Sequence, residues 1–253
     1  SCKSPHQMQG AIIKSYFAEK NGLDPKDIFV VSIMPCTAKK YEKTRPEMEV
    51  DGIRDVDAVL TTRELAKLIK RSGIDFRKLP DEEPDNDIMG EYSGAGVIFG
   101  VTGGVMEAAL RTAVETITGE ELECVEFTDV RGVEGVKEAS YNVGGLEVNV
   151  AVASGLANAK KVLDAIRSGE KNYTFVEIMA CPGGCAGGGG QPIHDNLELA
   201  KERGDVLYEL DAENEIRFSH ENPAVQELYR SFLEKPLSHK SHELLHTDHS
   251  LGI

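Results

Sequence analysis

The sequence predicts an α/β fold, because short apolar runs typical of strands alternate along the chain with helical patterns. Residues 28–33 (IFVVSI) are rich in β-branched side chains and indicate a strand buried on both faces, and the short apolar run at 57–60 (DAVL) indicates a second strand. A helical pattern follows the second run over residues 63–71, and a third run, residues 174–179 (TFVEIM), has the same strand character. Strands that alternate with helices are typical of α/β proteins.

The other elements follow from the same periodicities. Thr61 or Thr62 is expected to cap the helix over 63–71. The acidic, proline-bearing residues 79–92 predict an exposed loop. Further helices are predicted at 7–20, 105–117, 155–168, 196–203, 222–233 and 239–246, and further strands at 123–127, 136–141 and 146–152. We therefore expect an α/β core over residues 1–192 and a helical C-terminal arm over residues 193–253.

Composition excludes several classes of protein. The 253 residues carry 28 Lys and Arg against 43 Asp and Glu, a formal charge of -15, which argues against a nucleic-acid partner. No apolar run reaches the ~18 residues that a membrane span needs. Five cysteines are too few for a disulfide-stapled scaffold, and no signal-peptide pattern opens the chain. We expect a cytoplasmic protein.

A glycine-rich segment holds the first candidate site. Residues 177–192 read EIMACPGGCAGGGGQP, so Cys181 and Cys185 directly follow a predicted strand. Two thiols with glycines around them can turn both sulfurs and several backbone amides toward one metal centre. A zinc site and a flexible glycine loop with two incidental cysteines are the alternatives.

The second candidate is residues 34–42, MPCTAKKYE, which follow another predicted strand. Cys36 lies at the carboxyl end of that strand, and Lys39 offers a cation to an anionic ligand. The alternative is a buried structural cysteine followed by a solvated helix start. We expect the two strand ends that carry cysteines to meet at one edge of a sheet, where open α/β folds place ligands.

Together these segments resemble the second and third signature motifs of the FeFe-hydrogenases, MPCxxKxxE and ExMACxxGCxxGGGQP. The resemblance continues through residues 1–5 (SCKSP), 93–104 and 234–246, and therefore covers nearly the whole chain. The tail is most similar to the catalytic subunits of NAD(P)-linked hydrogenases. The resemblance implies two lobes of twisted, mostly parallel sheet flanked by helices, with a helical C-terminal arm.

The resemblance also implies a cofactor, the H-cluster, and a reaction, the reversible reduction of protons to dihydrogen. Cys36, Cys181 and Cys185 would ligate a four-iron (4Fe-4S) cubane. Cys185 would also bridge to a two-iron subsite that binds CO, cyanide and a dithiolate. Lys39 would donate a hydrogen bond to a cyanide. The remaining residues implied around the subsite are Met34, Met179, Ser4, Pro5, His6 and Phe99.

The chain departs from the family pattern at two points. The family has an earlier motif, TSCCPxW, which supplies the fourth cubane cysteine and a proton-relaying cysteine, and this sequence contains neither. We therefore expect an upstream part of the same domain or polypeptide, and an inactive isolated fragment. His6 stands where many members have glutamine. The expected electron partner is ferredoxin or a flavin- or NAD(P)-linked subunit.

Three other functions compete with the enzyme: a cytosolic iron–sulfur assembly factor, a hydrogen-sensing module and a zinc-stabilised α/β binding domain. Lys39, Met179 and the glycine run over 187–192 favour the enzyme, because a plain cubane scaffold needs no cyanide donor. Cys2 and Cys124 match no ligand position and are expected to be packed or semi-exposed thiols. The histidines of the tail, His239, His242 and His246, are assigned to a structural helix rather than to zinc.

Overall fold

The computed structural model describes residues 1–82, 89–122, 124–132, 135–193 and 198–248. Part of the predicted acidic loop and the first residues of the elements predicted at 123–127 and 196–203 lie outside these ranges. The helices are α1 (Pro5–Ile12), α2 (Ala18–Asn21), α3 (Ala38–Glu42), α4 (Thr62–Arg71), α5 (Gly94–Val97), α6 (Gly104–Thr118), α7 (Leu156–Ser168), α8 (Glu198–Glu213), α9 (Pro223–Leu228) and α10 (His239–Leu245). The strands are β1 (Val31–Met34), β2 (Glu49–Val50), β3 (Ile53–Arg54), β4 (Ala58–Thr61), β5 (Val136–Val143), β6 (Leu146–Ser154) and β7 (Phe175–Met179).

The chain folds into two compact units that interleave along the sequence. Unit 1 comprises Ser1–Gly90, Gly190–Pro192 and Pro223–Ile253, and unit 2 comprises Glu91–Gly189 and Ile193–Asn222. Both units combine helices with a sheet that contains a parallel strand pair, which confirms the predicted α/β class. The division at residue 192 into core and arm stays a prediction. Within the described ranges, we find no helix with the length and apolar character of a membrane span.

In unit 1, β1 pairs in parallel with β4, with Val31 opposite Ala58 and Met34 opposite Thr61. The predicted N-terminal helix is present, and a π-helical segment, Ile13–Phe17, joins α1 to α2. The predicted cap of α4 is Thr61, whose hydroxyl accepts a hydrogen bond from the Glu64 amide at 3.2 Å while the Glu64 carboxylate binds the Thr61 amide. The core of this unit consists of Ile12, Tyr16, Leu228, Phe232, Leu233 and Leu244.

Strand β1 contradicts the prediction that it is buried on both faces. Val31 and Ile33 are 45% and 42% exposed, and Phe29 just before the strand is 71% exposed. An apolar run predicts a strand, but burial of each face depends on which elements cover it. In the part of the chain that the structure describes, β4 is the only strand that pairs with β1.

Unit 2 contains a three-stranded sheet in the order β5-β6-β7, in which β6 runs antiparallel to β5 and parallel to β7. Val150, Ala151, Val152 and Ala153 of the central strand β6 are fully buried, so β6 is covered on both faces. Because β7 belongs to this sheet and β1 pairs with β4 in a different sheet, the prediction that the two cysteine-bearing strands meet at one sheet edge is wrong. Residues 124–127 form no strand either.

Buried charges link the helices of unit 2. The Arg111 guanidinium on α6 is fully buried and donates to Glu107 at 2.7 Å and to both oxygens of Asp211 on α8 at 2.8 Å. Burial opposes its charge, but the hydrogen bonds to Asp211 and Glu107 raise the pKa of Arg111 above its usual value. Removing Asp211 would leave the buried Arg111 with only Glu107, which lies on the same helix, and the Arg111–Asp211 pair therefore fixes α6 against α8.

Candidate functional site

Cys36 follows the carboxyl end of β1, and the last glycine of the glycine-rich segment packs against its backbone. The Gly190 amide donates to the Pro35 carbonyl at 3.0 Å, and the Gly190 carbonyl accepts from the Arg63 amide at 3.3 Å. A Cβ on Gly190 would lie 2.7 Å from the Cys36 nitrogen, closer than real Cβ atoms approach. The absence of a side chain at Gly190 therefore lets the chain pass beside the peptide that carries Cys36.

Lys39, on the first turn of α3, shares a carboxylate with His6 of α1. Lys39 Nζ donates to Glu42 Oε2 at 2.7 Å, and His6 Nε2 lies 2.8 Å from the same oxygen. His6 Nδ1 lies 3.0 Å from Ser32 Oγ of β1. These four side chains join α1, β1 and α3, so the predicted residues at the start of α1 are tied to Lys39 through Glu42.

Electrostatics keep Glu42 ionised. Burial acts to raise its pKa, but hydrogen bonds from His6 and Lys39 and the charge of Lys39 outweigh it and lower the pKa to about 2. The Glu42 carboxylate therefore carries a full negative charge at neutral pH.

In unit 2, Cys181 and Cys185 lie on a tight loop that begins two residues beyond β7. Gly183 and Gly184 adopt left-handed φ angles of 78° and 75°, and a 3-10 turn, Cys185–Gly187, follows. A Cβ on Gly184 would lie 2.8 Å from the Thr102 nitrogen and 2.9 Å from the Gly100 carbonyl oxygen. Glycine is thus required twice, for the turn and for close approach to the segment after Phe99.

Glu177 is a buried carboxylate that connects β7 to the N-terminus of α6. It accepts hydrogen bonds from the backbone amides of Gly103 and Met106, both at 2.7 Å. Burial raises the pKa of Glu177, and these N–H donors act against that rise. Glu177 belongs to the cysteine motif, but no role was predicted for it. The available signal was its position two residues before Met179, on the same face of the strand.

The structure distributes the predicted site residues over both units. Unit 1 contains Ser4, Pro5, His6, Met34, Cys36 and Lys39, and unit 2 contains Phe99, Met179, Cys181 and Cys185. None of the five cysteines forms a disulfide. The three motif cysteines are half-buried, whereas Cys2 and Cys124 are exposed. The thiols that sequence reasoning selected therefore differ from the other two in their surroundings.

The histidines of the C-terminal tail lie on or next to α10, as predicted. The rings of His242 and His246 are 4.1 Å apart between centroids, and Cys2 forms an isolated backbone bridge with His246. Among the residues that the structure describes, the group of three potential metal ligands within 4.8 Å of one another is Glu115, His220 and Glu221, outside both motifs. That group was not predicted from the sequence.

A known protein family matches most of this chain. The sequence profile described as "Iron only hydrogenase large subunit, C-terminal domain" matches residues 1–189, and that of "Iron hydrogenase small subunit" matches residues 197–250. The chain therefore belongs to the family of iron-only hydrogenase large subunits. It carries a small-subunit segment on the same polypeptide.

Individual relatives agree with this assignment. The chain is 56% identical to the NADP-reducing hydrogenase subunit HndD of Solidesulfovibrio fructosivorans, over 98% of this chain and 42% of that protein. It is 50% identical to iron hydrogenase 1 of Clostridium pasteurianum, over 97% of this chain and 44% of that protein. The chain thus spans less than half the length of these relatives.

A solved structure shows the same fold. A variant of the [FeFe]-hydrogenase HydA1 from Chlamydomonas reinhardtii superimposes with a TM-score of 0.84 at 45% identity. The match covers 100% of this chain and 71% of that one. More distant relatives include a cytosolic Fe-S cluster assembly factor of Xenopus tropicalis, 31% identical over 98% of this chain and 53% of that protein.

Proposed function

We propose that this chain is the cluster-binding part of an FeFe-hydrogenase catalytic domain, whose reaction is the reversible reduction of two protons by two electrons to dihydrogen. The observation that carries the proposal is the presence of both complete cysteine motifs in a chain of this family. A cationic lysine three residues beyond Cys36 accompanies them. The full-length relatives are named as hydrogenases, and this chain contains the motif residues on which the proposal depends.

The residues fit an iron–sulfur cofactor. Three half-buried thiols outside any disulfide follow strand ends, and thiolate sulfur is the donor that iron–sulfur clusters take. Gly184 and Gly190 let the backbone pack closely beside Cys185 and Cys36. Cys36, Cys181 and Cys185 would hold a four-iron cubane, with Cys185 also joined to a two-iron subsite that binds CO, cyanide and a dithiolate. When bound, this group supplies the redox chemistry of hydrogen.

The protein's own residues bind and position. Lys39 presents an ammonium, held by Glu42, that can donate to an anionic ligand such as cyanide. Met34 and Met179 end their strands with soft, polarisable thioethers suited to packing against small apolar ligands. Phe99, packed on the cluster of Ile98, Val101 and Ala186, would exclude water. Ser4, Pro5 and His6 form the start of α1.

The assembly-factor alternative receives less support. Relatives of that type are 31% identical to this chain, whereas the hydrogenases reach 50–56%. A plain iron–sulfur scaffold also has no use for the Lys39 ammonium as a donor to cyanide. The enzyme therefore accounts for more of the residues in both motifs.

We further propose a cytoplasmic protein that exchanges electrons with a flavin- or NAD(P)-linked subunit or with ferredoxin. Support comes from the 56% identity with an NADP-reducing hydrogenase subunit over 98% of this chain. A periplasmic [Fe] hydrogenase large subunit of Nitratidesulfovibrio vulgaris is 55% identical over a smaller share, 80% of this chain.

The test is maturation of the full-length protein with its two-iron subsite, followed by infrared spectroscopy and a hydrogen assay. We expect CO and cyanide stretching bands together with hydrogen turnover. Cys36→Ser, Cys181→Ser and Cys185→Ser should each lower the iron content, while Cys124→Ser, at an exposed thiol outside the motifs, should not. Absence of the bands from correctly matured protein would refute the proposal. Bands without turnover would instead favour a hydrogen-sensing module.

The isolated 253-residue chain is a second test of the same proposal. A cubane takes four ligands, and the motifs of this chain supply three cysteines. We expect no hydrogen uptake by the chain alone, even after reconstitution with iron and sulfide and maturation with the two-iron subsite. Turnover by the isolated chain would show that the upstream motif of the family is dispensable.

A further inference from the structure

Both ring nitrogens of His6 lie within hydrogen-bond distance of a side chain, and one of these partners, Glu42, also binds Lys39. Nε2 is 2.8 Å from Glu42 Oε2, Nδ1 is 3.0 Å from Ser32 Oγ, and the side chain is 7% exposed. Glu42 Oε2 also accepts from Lys39 Nζ at 2.7 Å. One carboxylate oxygen therefore serves two donors, one from α1 and one from α3.

The partners determine where the proton on His6 resides. With a pKa of about 2, Glu42 is ionised at neutral pH and can only accept hydrogen bonds. His6 Nε2 must then carry a proton and donate a hydrogen bond to Glu42. In the neutral ring Nδ1 is an acceptor, and the Ser32 hydroxyl is placed to donate to it.

We propose that His6 is a positioning residue for Lys39 and that it acts through Glu42. A carboxylate oxygen can accept from two donors at once, but each donor offsets part of the negative charge that attracts the other, so each is bound less tightly than it would be alone. The Lys39 ammonium has three N–H donors, and by sharing Glu42 Oε2 His6 weakens the pull of that carboxylate on the ammonium, whose other donors remain placed for an anionic ligand. This inference rests on the proposed function, in which Lys39 donates to a cyanide of the cofactor.

The same contacts also permit a purely structural role, in which His6 only fastens α1 to β1 and α3. The two roles differ in what happens to Lys39. Loss of a structural tie would lower stability and leave the Lys39–Glu42 pair unchanged. If His6 is a positioning residue, its loss would leave Lys39 as the only one of these two donors to Glu42, and the ammonium would be held more tightly by the carboxylate. Glutamine at position 6 would keep an N–H donor for Glu42 without an ionisable ring.

The first measurement needs no cofactor. NMR of the full-length protein at neutral pH, with labelled histidine and lysine side chains, reports the His6 tautomer and the exchange of the Lys39 ammonium protons with water. We expect a proton on His6 Nε2. In His6→Leu, exchange at Lys39 should slow by about threefold, the scale of coupling within one hydrogen-bond network. His6→Gln should restore the wild-type rate.

His220→Leu is a matched control, since His220 Nε2 also lies 3.0 Å from a carboxylate, that of Glu115, in unit 2. It should leave exchange at Lys39 unchanged. An unchanged Lys39 in His6→Leu, or a proton on His6 Nδ1 alone, would overturn the proposal.

The second measurement uses the matured protein. His6→Leu should shift one cyanide stretching band while the other stays in place, and His6→Gln should return it toward wild type. An unshifted pair of cyanide bands in His6→Leu would overturn the positioning role. Absence of cyanide bands from the matured wild type would instead refute the proposed function, and the Lys39 exchange rates would still decide whether His6 acts through Glu42.

Discussion

At the scale of single residues, the position of Cys36 depends on the absence of a side chain at Gly190. Gly190 lies against the Pro35–Cys36 peptide and binds the Pro35 carbonyl, so any side chain at residue 190 competes with the backbone that presents the thiol. Gly184, which precedes Cys185, packs in the same way against the backbone of residues 100–102. Both cysteine loops are therefore shaped by close backbone packing.

Gly190→Ala should displace the Cys36 peptide. A Cβ 2.7 Å from the Cys36 nitrogen meets backbone that cannot rotate away, and overpacking of this kind costs about 1–3 kcal/mol. We expect a lower thermal midpoint and lower iron content after reconstitution. Gly96→Ala is the control, because its Cβ would meet nothing nearer than Ser93 Oγ at 3.6 Å. Equal iron content in the two variants would contradict this role for Gly190.

The residues that the sequence predicted are those whose chemistry is local in the chain. Cys36 and Lys39 fall within one nine-residue segment, and Cys181 and Cys185 fall within another. The function of Glu42 was not predicted, because it depends on His6, 36 residues away. No periodicity within one segment could have revealed that pairing.

At the scale of elements, Glu177 connects the strand before the cysteine loop to the helix after the glycine segment. Its carboxylate accepts from two amides at the N-terminus of α6, that of the cap residue Gly103 and that of Met106 in the first turn, and an α-helix leaves such amides without intrahelical partners. The negative charge also suits the positive end of the helix dipole. The position of β7, and with it the start of the loop that carries Cys181, is thereby tied to α6.

Glu177→Leu should destabilise unit 2. It leaves two buried amide donors without acceptors, each at a cost of about 1–3 kcal/mol. Glu177→Gln keeps one acceptor oxygen and should lose less. Urea unfolding followed by signals from unit 2 measures both, with Glu147→Gln, an exposed site on β6, as the control. A Glu177→Leu protein as stable as the control would show that other groups or water satisfy these amides.

Element types were more predictable than their surroundings. Helices α4, α6 and α7 and strands β5 to β7 lie where periodicity and capping residues place them, because those signals are local. The burial of β1 was predicted wrongly, since an apolar run cannot state which element covers each face. The placement of β1 and β7 in separate sheets depends on long-range topology. The π-helical segment Ile13–Phe17 was not predicted either, because the sequence carries no signature for it.

At the scale of the whole chain, a strongly acidic surface coexists with an apolar strip along β1. Phe29, Val31 and Ile33 alternate along the extended chain and therefore share one face, with exposed fractions of 71%, 45% and 42%. The formal charge of -15 opposes contact between copies, but this repulsion weakens as salt screens it. Apolar attraction at the strip has no such dependence on screening.

We therefore predict that the isolated 253-residue chain binds an apolar fluorescent dye at all ionic strengths and self-associates increasingly as salt rises. The double variant Phe29→Ser with Ile33→Thr should lower both dye fluorescence and the apparent mass at high salt, because it removes most of the strip. Leu156→Ser is the control, an exposed apolar side chain at the start of α7. Dye fluorescence and analytical ultracentrifugation across a salt series measure the two effects. If the double variant and the control behave alike, the attraction between copies arises elsewhere on the surface; if association falls with salt, it is electrostatic and not apolar.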